Sequence, residues 1–157
     1  MYQLIAPAAA LQNWIEHYWS VYPIAGEDVK LAVEVFVDAR ADLIFNFGAA
    51  YLRRRIGAVA VAYAESNLDA QRNYPIVIAQ RGAVAIVGVR FRSGGLAPFS
   101  PLAMAELSNR THAPEAVFGA EAEGLASALR HCGPDLASQK ALLDDFFSGP
   151  TGPTSGL

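Results

Sequence analysis

Apolar and polar positions change period twice along this chain. Between Pro7 and about Trp19, the apolar residues Leu11, Trp14, Ile15 and Tyr18 recur at i, i+3, i+4 and i+7. That is the stripe of an amphipathic helix, and Pro7 suits its first turn, where a missing N–H costs nothing. Pro23 and Gly26 end the pattern. From Lys30 strand formers take over: residues 31–37 alternate loosely and give way to the polar turn Asp38-Ala39-Arg40. In Ala41 to Gly48 the alternation is clear, with Leu43, Phe45 and Phe47 on one face and Asp42, Ile44 and Asn46 on the other. The same split returns from Val84 onward, where Ala85, Val87, Val89 and Phe91 oppose Val84, Ile86, Gly88, Arg90 and Arg92.

Gly57 to Tyr63 and Tyr74 to Gln80 are further strand candidates, and the polar stretch from Glu65 to Asn73 between them reads as a hairpin loop. Arg53-Arg54-Arg55 reads as a solvated turn between strands or as a small contact patch. No long helical pattern separates these strands, which favours an antiparallel barrel or sandwich over a βαβ sheet. After Gly94-Gly95 the period becomes helical. Ser100-Pro101 opens a short helix through Met104 to Leu107, and Pro114 opens another whose face carries Phe118, Ala122, Leu125 and Leu129 up to Gly133-Pro134. Asp135 caps a last helix with the stripe Leu136, Lys140, Leu143 and Phe147. The expected fold is therefore α+β: an N-terminal helix, an antiparallel β-barrel or sandwich, then C-terminal helices. It forms one domain over residues 1–147, followed by a linker-like tail at 148–157.

Composition narrows the function more than the fold. A net charge of −3 and a pI near 5.5 argue against a chain that grips a phosphate backbone by itself. Cys132 is the one cysteine, so no intrachain disulfide forms; it reads as a helix-end residue in a reducing compartment. The first residues lack the basic region of a signal peptide, and the apolar runs fall short of the ~18 residues of a membrane span, so a soluble cytoplasmic protein with no membrane partner is expected. His17, His112 and His131 lack metal-ligand spacing, and Gly94-Gly95 lacks the spacing and lysine of a phosphate loop. Glu34, Asp38 and Asp42 are the carboxylates any β-rich chain carries. No catalytic residue, metal or cofactor is expected, and the chain is not read as an enzyme.

The remaining chemistry lies on the polar face of the two clear strands, which would gather Asp42, Asn46, Arg90 and Arg92. A carboxylate and a guanidinium there either neutralise each other as a structural pair or offer donors and acceptors to a small polar ligand. Trp14, Tyr18 and Trp19 are either core or the aromatic wall of a pocket.

Tyr18-Trp19, then Val37-Asp38-Ala39-Arg40-Ala41-Asp42-Leu43-Ile44-Phe45-Asn46-Phe47-Gly48, then Gly88-Val89-Arg90-Phe91-Arg92-Ser93-Gly94-Gly95, Glu106-Leu107 and Phe118-Gly119 stand in an order that resembles the N-terminal effector domain of AraC-type bacterial transcriptional regulators. The resemblance covers most of residues 2–147. It implies a cupin-like or related β-barrel followed by helices, acting as a sensing and dimerising module. It also implies a small-molecule effector, a homodimer formed through the helices from Pro114 to Phe147, and DNA contact only through a C-terminal helix-turn-helix region that this sequence does not contain. Trp19, Asp42, Asn46, Arg90 and Arg92 are the candidate ligand-binding residues. The alternatives are a stand-alone small-molecule-binding barrel or enzyme without a regulatory role, and a purely structural oligomerisation domain.

Overall fold

Strict alternation in two stretches builds the centre of the molecule. In the computed structural model, which describes residues 2–23, 30–35, 39–59, 61–63, 66–70 and 72–149, with backbone alone for 30–35, 61–63 and 81, β4 (Asp42–Asn46) pairs antiparallel with β9 (Ile86–Phe91). Next to β9 lies β2 (Ile15–Val21), and beyond it β1 (Tyr2–Ile5). On the far side of β4 come β7 (Asn67–Asp69) and the short β10 (Thr111–His112), giving a six-stranded sheet of order β1-β2-β9-β4-β7-β10. A four-stranded sheet of order β3-β8-β5-β6 uses β3 (Lys30–Val35), β5 (Tyr51–Arg55), β6 (Val61–Tyr63) and β8 (Ile76–Arg81). Every pairing among the described residues is antiparallel. The two sheets share no strand, so the α+β fold is sandwich-like and not a closed barrel.

Helices cover the outer face of the larger sheet. They are α1 (Met104–Leu107), α2 (Pro114–Phe118), α3 (Glu121–Cys132) and α4 (Leu136–Ser148). Leu43 and Phe45 of β4 and Val87, Val89 and Phe91 of β9 are buried with Leu125, Leu129, Leu143 and Phe147 in one core. Phe91 meets Phe147 edge-on at 5.7 Å, and Phe147 meets Phe118 and Phe99 at 5.9 and 5.2 Å. Such pairs add to area burial about 0.5–1.5 kcal/mol each. Asp144 of α4 anchors the N-terminal segment by accepting from Tyr18 Oη at 2.8 Å and from the Ala8 N–H at 2.9 Å.

Several expectations fail, each for a local reason. The N-terminal helix is absent: a 3-10 turn at Ala9–Leu11 leads directly into β2. A bulge between Ile15 and His17 lets Ile15, opposite Phe91, and Tyr18, opposite Val89, face the same core, so a strand reproduces the i, i+3 spacing of a helix. The arginine run is strand β5 and not a turn, because Tyr51 is buried and Arg53 shares its face and finds Asp69 there. Residues 57–59 of the Gly57 to Tyr63 candidate form the turn, leaving three residues for β6. The expected hairpin loop from Glu65 to Asn73 contains β7, an interior strand whose single apolar residue, Leu68, is fully buried.

Among the helices, Ser100 and Pro101 precede α1 without capping it. The long helix from Pro114 divides at Gly119, whose φ of 84° and ψ of −176° suit glycine alone. Its four predicted face residues are nevertheless all buried. Residues 36–38 and the tail from Pro150 lie outside the described residues. No helix among the described residues is long and apolar enough to cross a membrane.

Candidate ligand site between the sheets

Because β2, β9, β4 and β7 are in register, the inner face of the larger sheet is built of rows that run across the strands. His17 pairs with Arg90, Arg90 with Asp42 and Asp42 with Asp69, which places four titratable groups side by side. Two residues further along, about 6.6 Å at the rise of a strand, the row is Trp19, Gly88, Ile44 and Asn67. The third row holds Val21 and Ile86, with Tyr2 of β1 opposite Val21. The charged row, with Trp19, Ile44, Val21, Ile86 and Tyr2 from the rows beyond it, faces a cavity of about 480 Å³ that Tyr51, Ile78 and Gln80 line from the other sheet. That volume lies within the range of small-molecule sites, roughly 300–1,000 Å³.

Gly88 makes the middle row possible. A Cβ at that position would lie 2.0 to 2.5 Å from the Cε2, Cζ2 and Nε1 atoms of Trp19, so the indole lies flat across the strand only because residue 88 has no side chain. The indole Nε1 then points towards Asp42 Oδ1 at a long 3.4 Å. Arg90 donates to both oxygens of the same carboxylate, from Nε at 3.2 Å and from Nη2 at 3.0 Å.

Beside this pair, Asp69 is held between two guanidiniums, accepting from Arg53 at 2.9 Å on Oδ1 and from Arg72 at 2.8 Å on Oδ2. Arg53 reaches Asp69 from the smaller sheet, and Asn67 donates to the Tyr51 hydroxyl across the same gap, so polar bonds join the sheets along one side. Gln80 donates to Ala49 O at 2.6 Å, which fixes its amide orientation and leaves its Oε1 with no donor among the described residues. Arg72 Nε, also buried, lacks an acceptor among them.

Burial pushes the Asp42 carboxyl above the usual carboxylate range, with the nearby Asp69 charge adding to the effect and the Arg90 bonds only partly offsetting it. His17 is held below the usual imidazole range, first by burial and then by Arg90, against opposing contributions from Glu16 and Asp42. Partial burial raises the Tyr2 phenol above its ordinary value, at which it is already neutral near pH 7 and able to donate. A row of this kind orients a polar group by hydrogen bonds. Among the described residues no three His, Cys, Asp or Glu side chains converge as a metal site.

Of the five residues expected to bind ligand, the fold brings three together: Trp19, Asp42 and Arg90 line the cavity. Asn46 shares their face but serves its own turn, donating to Ala49 O and accepting from the Gly48 N–H. Arg92 is separated from Arg90, because the strand ends at Phe91; its Nε donates to Gln12 O at 2.6 Å and ties the strand exit to the N-terminal turn. Of the three aromatic residues at issue, Trp14 and Tyr18 pack on the helical side and Trp19 alone faces the cavity. His17, Tyr51, Asp69, Arg72 and Gln80 were not foreseen. The i, i+3 charge pair of Asp69 and Arg72, and the phase that Gln80 shares with Ile78 and Ile76, are their only sequence signals.

Neither the curated proteins nor the solved structures contain a match to this chain. Residues 3–113, well over half of the chain and including every strand from β2 to β10, match the family described as a domain of unknown function (DUF6597), and the chain belongs to that family.

Proposed function

We propose that this domain is a sensor: it binds a small-molecule effector between its sheets and passes the bound state to the helical layer, as the effector domain of an AraC-type transcriptional regulator would. The observation that carries this reading is the shared sheet. Strands β2, β4 and β9 present Trp19, Asp42 and Arg90 to the cavity, and on the opposite face Tyr18, Phe45 and Phe91 to the helices. A guest that displaces β2 or β9 changes both the Tyr18–Asp144 bond and the Phe91–Phe147 contact, because packed cores shift between discrete arrangements and do not deform smoothly. Such a guest biases the helices by the difference in its affinity for the two arrangements.

In this reading the helices from Pro114 onward report the state and pair two copies, and DNA is contacted through a helix-turn-helix region joined beyond residue 157. A thermal-shift screen over small metabolites tests the sensor, since a ligand at 100 times its dissociation constant adds about 2.7 kcal/mol of stability. A chain extended through the expected DNA-binding region, whose operator affinity changes when the hit is added, tests the relay. A saturating hit that leaves both operator affinity and oligomeric state unchanged would refute it.

A further inference from the structure

The charged groups of the effector cavity stand in one row at one end, and there each carboxylate oxygen already accepts a bond from a neighbouring side chain. Both oxygens of Asp69 are engaged, one by Arg53 and one by Arg72. Both oxygens of Asp42 are engaged as well, by Arg90 and by the indole of Trp19. A guanidinium carries five N–H donors in a fixed fork, whereas a carboxylate offers about four lone-pair sites. Arg72, only 5% exposed, still has a buried Nε without an acceptor among the described residues. An unmet buried donor of that kind is costly, and a guest that supplies an acceptor recovers the cost.

The walls away from this end are of another character. Trp19, Ile44, Ile78 and Ile86 offer aromatic and branched aliphatic surface starting one row, about 6.6 Å, from the charges. We infer that the cavity takes a small amphipathic carboxylate, its head group against Arg72 and Arg90 and its apolar body over Trp19 and the three isoleucines. A planar two-oxygen head suits guanidinium forks, whose bonds to it are charge-assisted. A hydroxyl or N–H on the body would be accepted by Gln80 Oε1.

This inference rests on the sensor reading, and the experiment separates the two. Phenyl, cyclohexyl and indolyl bodies on two-carbon linkers are each prepared as acid, primary amide and amine, and titrated calorimetrically into the full chain at pH 7.5. At least one acid should bind ten times more tightly than its own amide, with no measurable binding of the matching amine. Arg72→Lys, which keeps a charge beside Asp69 but changes the fork, should cut acid affinity at least tenfold and leave amide affinity unchanged. Ile78→Trp, which fills the cavity without touching the charged row, should abolish acid binding.

Amides or amines that bind as tightly as the acids would overturn the carboxylate assignment and leave the sensor standing. So would a series that fails entirely while the metabolite screen yields another ligand. Acid binding that survives Ile78→Trp would place the guest outside the cavity and overturn the assignment too. If neither the series nor the screen yields a ligand, both the inference and the sensor reading fall.

Discussion

Gly88→Ala should be the most informative single substitution in this domain, because its two effects have opposite sign and one neighbour decides between them. The backbone of Gly88 is not in a positive-φ conformation, so alanine fits it without strain. Replacing glycine at such a position stabilises by about 0.4–1 kcal/mol through the unfolded chain. The new Cβ, however, would lie 2.0 Å from Trp19 Cε2. Normal contact is about 3.5–4.0 Å, so the indole must move by at least about 1.5 Å. It can go only outward into the cavity, leaving Asp42.

Overpacking of this kind costs about 1–3 kcal/mol. Less the backbone gain, and at about 2–4 °C per kcal/mol for a chain of this size, the melting temperature should fall by up to roughly 10 °C. In a Trp19→Ala background the obstruction is gone, and the same Gly88→Ala change should stabilise slightly. The backbone gain is common to both backgrounds and cancels, so the double-mutant cycle should show a coupling of about 1–3 kcal/mol. Urea unfolding of the four proteins measures it, and tryptophan emission reports the moved indole. A Gly88→Ala change with the same effect on stability with and without Trp19 would refute the account of the cavity floor.

Three other changes test neighbouring parts of the argument. Asp69→Ala leaves Arg53 and Arg72 without their shared carboxylate and should cost about 3–5 kcal/mol in denaturant unfolding, far more than an exposed ion pair. Gly119→Ala forces a side chain into a conformation that glycine alone tolerates, and should lower stability by about 1–3 kcal/mol without changing the cavity, as unaltered ligand affinity would confirm. The His17 imidazole is held below its unfolded value of 6.5, so between the folded and unfolded values the unfolded chain binds more protons and stability rises with pH. Its contribution is present above pH 6.5 and is lost as the pH falls through the folded value. The urea midpoint of the wild type should therefore drop between pH 7 and pH 5, and His17→Gln should flatten that drop, whereas an unchanged slope would show that burial and the Arg90 charge do not hold the His17 imidazole down.

The central strands were legible because a sheet that packs one face on an apolar helical layer and lines a partly polar cavity with the other writes its period into the sequence. Leu43 and Phe45 on one face, and Asp42 and Ile44 on the other, needed no tertiary information. The α+β class followed in the same way, as did the buried faces of the later helices, where Ala122, Leu125 and Leu129 keep helical spacing. Failures came where a distant partner outweighs local pattern. Asn67-Leu68-Asp69 looks like a loop because two of its three residues are polar, and it is a strand because Tyr51 and Arg53 reach Asn67 and Asp69 from the other sheet while Arg72, three residues on, takes the second oxygen of Asp69. Ile15 and Tyr18 look helical because a bulge in β2 cannot be seen without the strand beside it.

The sequence by itself determined which residues could face a cavity, since alternation assigns each side chain to a face. Only the tertiary structure decided which of them do. Register aligned His17, Arg90, Asp42 and Asp69 into one row, strand termination at Phe91 turned Arg92 away, and the second sheet supplied Tyr51, Ile78 and Gln80. Face is a local property with a period of two residues, whereas register and sheet order are set by contacts between segments tens of residues apart, which leave no periodic trace in the chain.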